Sequence, residues 1–451
     1  MQIIIVGCGN VGSTLTAELS KEGHNITVID RNSEKVEEIA NEYDVMGVAG
    51  NGASISVQRE ASIETADLLI AVTASDELNL LCCLIAKKAG DCCTIARVRN
   101  PIYNKEIDYI KEELGLSMVI NPEQAAAMEI SRLLKFPSAI KVDTFAKGRV
   151  ELMKCKIAPR SPLCGRSVME ISTVLHCDVL ICAVERGEEA YIPDGRFVLQ
   201  EKDVISLVAS TKHANEFFRK IGMETNPIHR VMIVGGGETS FYLTQMLTAM
   251  GMEVTIIEKN KERCEELGEL LPKALIIHGD GTERNTLQEE GIEQVQAFVS
   301  WTSMDEENVM LSLFARHVSH AKTITKVHRI AYDEIIDKLD LDCVMYPKYI
   351  TAEYIVRYVR ALQNSIGSNV ETLYQLIEDK VEALEFSVRE MSQVVGVPLK
   401  DLKLKPNLLI CCINRNGKII TPGGQDRIEL GDTVVVVTTN AGFHDLQDIL
   451  A

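Results

Sequence analysis

What this chain lacks narrows its function early. No segment of its 451 residues approaches the roughly 18 uninterrupted apolar residues that span a bilayer. Any work at a membrane then needs a protein partner to hold the chain there. The opening MQIIIVGCGNVG has no basic region ahead of its apolar run and starts directly on a strand, so no signal peptide is expected. The 13 cysteines are an odd number, form no CxxC pair and fall partly in doublets, Cys82–Cys83, Cys92–Cys93 and Cys411–Cys412. Adjacent cysteines in apolar runs behave as small hydrophobes, which implies a reducing cytosol and no disulfide framework. Positive charge is short as well, with 47 Lys and Arg against 65 Asp and Glu and a net charge of −18. That balance argues against general nucleic-acid binding and against adsorption to an anionic lipid surface. HExxH, GxSxG, GKT/S and Cys₂His₂ patterns are missing. His317 and His320, three apart on an expected helix, have no third ligand nearby and read as a polar helix face. The single tryptophan, Trp301, reads as packing.

What the chain has, it has twice. IIIVGCG at 3–9 returns as VMIVGGG at 231–237. Thr73, Asp76, Glu77 and Asn79 return as Thr302, Asp305, Glu306 and Asn308, and Asp203 returns as Asp432. An offset held at 228 or 229 positions over most of a half-chain is a tandem duplication, and each copy must bury its own core.

Each half divides again. Residues 1–140 and 228–365 alternate short β-branched runs (IIIV, ITVID, DLLIAV, TIARV; VMIV, VTIIE, AFVSW, TITKV) with amphipathic stretches. This is the pattern of a doubly wound parallel sheet in an α/β fold, with helices on both faces. A further helix closes each sheet domain, EQAAAMEISRLLKF and TAEYIVRYVRALQ. Its wide apolar stripe fits either packing on its own sheet or crossing to a neighbouring domain. Residues 141–225 and 366–451 form a second repeated unit, a small α+β lobe of alternating strands with a short helix. Its core is limited, so pairing between copies is expected. The segment TKHANEFFRKIGMETNPIH reads as the linker between halves.

Gly7-Cys8-Gly9-Asn10-Val11-Gly12 fits GxGxxG, follows a strand, opens a helix and precedes Asp30 at the end of ITVID. In that context it marks a dinucleotide fold. Gly7 allows the tight turn, Gly9 lets the helix N-terminus approach a pyrophosphate, and Gly12 permits close helix–strand packing. Asp30 would accept hydrogen bonds from the adenosine ribose, favouring NAD(H) or ADP/ATP over a 2′-phosphorylated dinucleotide; Arg31 weakens that discrimination. Asn51 and Gly52 could frame the adenine, Thr73 and Ala74 the phosphates or second sugar, and Arg97 could reach a phosphate. Asp76 reads as a helix N-cap or as a ligand. Glu123, opening the closing helix, reads as a dipole partner or as a sensor of a terminal phosphate or its metal.

The second copy keeps Gly235 and Gly237 but puts Ser240 where Gly12 stands and Glu238 where Asn10 stands. Glu258 replaces Asp30, Asp280 falls where Asn51 is, Lys326 replaces Arg97, and Lys348 stands opposite Glu123 when INPE is set against MYPK. Binding with an altered preference and a purely structural role both remain open for this copy.

These motifs (IIIVGCGNVG, ITVID, the GNG and GDG turns, AVTASDELN with its copy, ARVRNP and INPE) resemble the RCK (KTN) regulators of potassium conductance, in the duplicated single-chain form of Trk potassium uptake systems. The resemblance covers essentially the whole chain. It implies two Rossmann-like domains, each followed by an RCK C-terminal lobe, and a homodimer whose domains build a ring. The ring would sit on the inner face of the cell membrane under a TrkH/TrkG-like potassium channel or transporter subunit, with NAD(H) or ADP/ATP biasing its shape. On this reading the protein is a cytoplasmic, peripheral regulatory subunit and not an enzyme. The rival is an NAD-dependent oxidoreductase, which needs a domain that places an acid or base against the nicotinamide; the small lobes offer no convergent His, Lys or Tyr.

Overall fold

The computed structural model describes the chain apart from residues 137–138, 146–149, 159–160, 176, 178, 223–227, 329–335, 340, 366–369, 378–379, 441 and 444. The chain divides into two compact units, each assembled from both halves of the sequence. One holds Met1–Ser131 with His229–Val356, the other Arg132–Ile228 with Arg357–Ala451.

The first unit contains two six-stranded sheets. Strands Gln2–Val6, Asn25–Asp30, Met46–Ala49, Leu68–Ala71, Cys93–Arg97 and Met118–Ile120 stand in the order third, second, first, fourth, fifth, sixth. Every pairing is parallel. Strands Arg230–Val234, Glu253–Glu258, Leu275–His278, Ala297–Ser300, Lys322–Lys326 and Cys343–Met345 repeat that order, again all parallel. The central strands are buried on both faces, as Ile3, Ile4, Ile5 and Leu68, Leu69, Ile70 are, because helices cover each side. The order reverses between the first and fourth strands, which opens a crevice at their carboxyl ends. The cysteine doublet Cys82–Cys83 lies in the core as its apolar setting predicts.

The closing helices Pro122–Lys135 and Pro347–Ser365 do more than cover their own sheets. The Tyr354 hydroxyl donates to Glu129 Oε1 (3.0 Å), and Asn121 Nδ2 donates to the Tyr242 hydroxyl (3.1 Å). Both bonds join one sheet copy to the other, so the crossing reading of the apolar stripe holds. The repeated TASDELN run is a latch. Asn79 Oδ1 accepts from the Thr73 amide (2.8 Å) and its Nδ2 donates to the carbonyls of Thr73 and Arg97, and Asn308 does the same with Thr302 and Lys326. The N-cap itself is Ser75, not Asp76, and Asp76 instead accepts from the amides of Arg99 and Asn100 (2.9 and 2.8 Å).

In the second unit each lobe is a five-stranded antiparallel sheet. In chain order the strands are Lys141–Phe145, Val150–Lys156, Leu180–Arg186, Glu189–Tyr191 and Val204–Ala209, matched by Val370–Ile377, Val381–Ser387, Leu408–Arg415, Lys418–Ile420 and Thr433–Thr438. The spatial order is the same in both: first, second, fifth, third, fourth. One core cluster joins Leu152, Cys182 and Val208 of one lobe to Ala383, Cys411 and Val437 of the other, so neither small sheet has to close a core alone. The expected short helix forms in the first lobe, Val168–Leu175, but is only a 3₁₀ turn in the second, Leu399–Asp401.

Part of the expected linker is also structure. Thr211–Lys220 is a helix capped by Ser210, and it buries Ala214, Phe217, Phe218 and Ile221. Their i, i+3, i+4, i+7 spacing is the helical signal that the linker reading passed over; Pro227 lies outside the described residues.

The recurrent Asp203 and Asp432 each anchor a fork. Arg186 Nε and Nη2 donate to Asp203 (2.8 and 2.8 Å), and Arg415 Nε and Nη2 donate to Asp432 (2.9 and 2.8 Å). The amides of Gln200 and Glu429 add a third donor to each carboxylate. Both carboxylates are buried, with side chains 1% exposed. Removing one leaves a partly exposed guanidinium and the Gln200 or Glu429 amide without their buried acceptor, at a cost of roughly 1–3 kcal/mol. Asp432→Ala is therefore expected to speed amide hydrogen exchange across Thr433–Thr438 by at least about tenfold, while exchange in Gln2–Val6 stays unchanged.

Candidate functional site

The phosphate turn is built by close approach. Gly7 has φ +111°, and a Cβ there would lie 3.0 Å from the Thr73 nitrogen. A Cβ on Gly12 would lie 1.8 Å from the Gly7 carbonyl oxygen, so the first helix can pack on its strand only without a side chain. In the second copy the Ser240 hydroxyl donates to the Gly235 carbonyl oxygen (2.5 Å), so the added atom becomes a hydrogen-bond partner. Gly9 and Gly237 are N-caps with no side-chain cap, and nothing lies within 4 Å of a Cβ built on either. Helix-first amides there have no intrahelical acceptor and face open space, which suits an anion.

The acidic residue ending each second strand is held rigidly. Asp30 Oδ2 accepts from the Cys8 amide (2.7 Å) and Oδ1 from the Asn32 amide (2.9 Å). Glu258 repeats this with the amides of Gly236 (2.6 Å) and Asn260 (2.7 Å). Each oxygen keeps acceptor capacity for a ribose hydroxyl.

A cavity of about 690 Å³ brings together Gly7, Gly9, Asn10, Val11, Asp30, Arg31, Gly52, Thr73, Ala74, Arg97 and Glu123. Cys8, Gly12 and Asn51 do not line it. The Cys8 thiol is buried, and burial beside Asp30 pushes it up to about 12. Asn51 is an exposed turn residue whose Oδ1 accepts from the Ala53 amide. Sequence reasoning missed Lys35 and Arg99, and it did not place His328, Pro347, Lys348 and Thr351 of the second copy against this cavity. Arg99 had a signal, being two residues beyond Arg97 at the same strand end. The second-copy residues depend on how the copies dock, which no local pattern encodes.

A second cavity, about 590 Å³, collects Gly235, Gly237, Glu238, Glu258, Asp280, Trp301 and Lys326. Asp280 is tied to Lys259 (2.6 Å), which holds its carboxyl down to about 2. Glu238 faces Arg263 (3.1 Å), whose other donors go to the Gly236 carbonyl (2.8 Å) and Glu266 (2.7 Å).

Glu123 lines both cavities. Its Oε2 is buried without a hydrogen-bond partner, and burial raises its carboxyl above the ordinary range despite Arg99 and Arg97. Arg97 Nη2 donates to the Thr73 carbonyl (2.6 Å) while its Nε is buried without a partner. Burial and the Arg99 charge lower the Arg97 guanidinium from its ordinary value. The open glycine cradle, the fixed Asp30 and the spare donors of Arg97 fit an adenine nucleotide.

The TrkA-N domain profile matches residues 3–122 and 231–347, and the TrkA-C domain profile matches 152–222 and 383–451. The chain belongs to the TrkA family. It is 32% identical over 440 residues to the Trk system potassium uptake protein TrkA of Haemophilus influenzae, covering 97% of this chain and 95% of that one. It is 31% identical over 455 residues to TrkA homolog 1 of Methanosarcina mazei, covering 99% of each. Among solved structures, the GsuK channel bound to NAD superposes with a TM-score of 0.64 at 16% identity, over 97% of this chain and 77% of that one, which establishes the shared fold. The repeated sheet and lobe are thus the TrkA-N and TrkA-C domains, each present twice.

The raised carboxyl of Glu123 has a stability consequence with a definite sign. A folded-state value above the unfolded one means that ionisation opposes folding, so the stabilisation is complete at low pH and is lost as pH rises through the folded value. Glu123→Gln is expected to melt higher than the parent chain at pH 7.5, with the gap closing as pH drops below the ordinary carboxylate range. Parallel thermal melts across pH 4–8 check this; a lower melting temperature for the variant at pH 7.5 contradicts it.

Proposed function

We propose that this chain is the nucleotide-sensing regulatory subunit of a Trk-type potassium uptake system. The observation that carries the reading is the position of Glu123, one half-buried carboxylate lining two nucleotide-fold cavities. A phosphate arriving in either cavity changes the electrostatic environment of a group shared with the other. Gly7, Gly9, Asn10 and Val11 would hold the pyrophosphate, Asp30 the adenosine ribose, Arg97 a further phosphate, and Thr73 and Ala74 the second sugar or phosphate. Gly235, Gly237 and Glu258 would do the same in the second copy. NAD(H) or ADP/ATP would supply the charge that is read, and no chemistry on the ligand is needed.

Such a ligand shifts the docking of the two sheet copies only if its affinity differs between their arrangements. The closing helices Pro122–Lys135 and Pro347–Ser365, bonded to each other through Tyr354 and Glu129, would carry that shift. In a homodimer the domains 1–140, 141–225, 228–365 and 366–451 would repeat to form a ring. The ring would dock on the cytoplasmic face of a TrkH/TrkG-like membrane subunit and gate potassium passage. No described helix is long and apolar enough to cross a membrane, which fits attachment through that partner.

Calorimetry with NADH, ATP and ADP tests the binding sites: Asp30→Ala should remove one equivalent of nucleotide and Glu258→Ala the other. Co-purification from detergent-solubilised membranes tests the partner. Recovery with a polytopic potassium transporter in fixed ratio is expected, whereas a wholly unattached pool that turns over NADH would refute the reading.

A further inference from the structure

The two cavities repeat one architecture but are opposite in charge. The first is lined by five cationic side chains, Arg31, Lys35, Arg97, Arg99 and Lys348, against the carboxylates of Asp30 and Glu123. The second is lined by five carboxylates, including Glu123, Glu238 and Glu307, against the two ammonium groups of Lys259 and Lys326. The cations of the second cavity are also engaged. Lys259 is bonded to Asp280, and Lys326 donates to the Thr302 carbonyl (2.8 Å). Arg263, beside the lining residue Glu238, is bonded to Glu238, Glu266 and the Gly236 carbonyl. In the first cavity the donors are in surplus: Arg97 Nε has no partner, and Lys348 enters from the second copy.

We propose that the two cavities select ligands by phosphate charge. The first takes a nucleoside polyphosphate. The second takes an adenine nucleotide of low phosphate charge, such as a monophosphate or an oxidised dinucleotide with its cationic nicotinamide. Lys348 and Glu238 set the difference. This rests on the nucleotide-sensing reading above. The physics is that each added phosphate charge gains attraction in a cationic, partly desolvated cavity and meets repulsion in an anionic one. Lys348 acts across the copy boundary, so the first site is complete only when the copies are docked. Glu238 sits in the first turn of its helix, where a phosphate would otherwise meet free amides.

The test is calorimetry on the full chain with AMP, ADP, ATP and NAD⁺, using Glu258→Ala to isolate the first site and Asp30→Ala to isolate the second. At the first site affinity should rise from AMP to ATP. Adding Lys348→Glu should weaken ATP by about tenfold or more and AMP by less than about threefold. At the second site the order should invert, and adding Glu238→Asn should strengthen ATP by about tenfold with AMP little changed. Should an isolating variant fail to fold, ATP titration of the parent chain at two salt concentrations serves instead. The first site should weaken with salt and the second should not. Equal charge ladders at both sites, ladders unmoved by Lys348→Glu and Glu238→Asn, or equal salt slopes overturn this inference and leave nucleotide sensing standing. A parent chain that binds none of the four nucleotides overturns the proposed function and this inference with it.

Discussion

The first unit depends on what one buried side chain, Asn121, holds together. Its Oδ1 accepts from the Gln124 amide (2.9 Å) and so caps the first closing helix. Its Nδ2 donates to the Arg99 carbonyl (3.3 Å), fixing the strand end from which Arg97 and Arg99 enter the first cavity. The same Nδ2 reaches the Tyr242 hydroxyl in the second copy. Helix start, cationic strand end and copy-to-copy contact thus share one amide that is 7% exposed. A buried amide with every polar atom engaged tolerates little displacement, because an unmet donor or acceptor there costs its full desolvation. Glu123, two residues on, inherits that position and stands between the two cavities.

Duplication explains why such a junction could become asymmetric. In an assembly of identical subunits, a residue that reaches a neighbour's site is repeated at every site. Here the two copies are covalently joined and free to differ. INPE in one copy corresponds to MYPK in the other, so the closing helix of one copy begins with a carboxylate and that of the other with an ammonium. The scaffold hardly changed: strand order, the positive-φ glycines at the phosphate turns, the Asn latch and the Arg–Asp fork are all repeated. Several side chains that face the cavities differ between the copies, Glu238 for Asn10 and Lys348 for Glu123 among them.

The same division accounts for what could be read from the chain. Parallel order, the phosphate turn, Asp30 and Arg97 were legible because each depends on local sequence. A tight turn needs glycine, a strand end needs its acid, and a buried sheet needs β-branched runs. The cysteine doublets likewise declared themselves as core. Cys8, Gly12 and Asn51 were drawn in by their motif, yet they serve the turn and its packing and leave the cavity to their neighbours. The helix Thr211–Lys220 was hidden by its polar composition, although Phe217 and Phe218 carry its buried face. Lys348 and His328 were out of reach for a different reason. Their place in the first cavity is set by the docking of two folded domains, a contact more than two hundred residues away in sequence.

That separation bears on how a signal can pass. A ligand held only by groups of one copy would tighten that copy and leave the docking of the pair untouched, since equal affinity in two arrangements shifts neither. Lys348 and Glu123 supply the missing dependence, because each faces a cavity whose glycine turn belongs to the other copy. The closing helices that carry them touch through Tyr354 and Glu129 and run on into the lobe unit. Ligand charge and the docking of the two copies would then be coupled through these boundary contacts. The magnitude of that coupling is bounded by the difference in ligand affinity between docked arrangements, and residues at the copy boundary are the ones able to create such a difference.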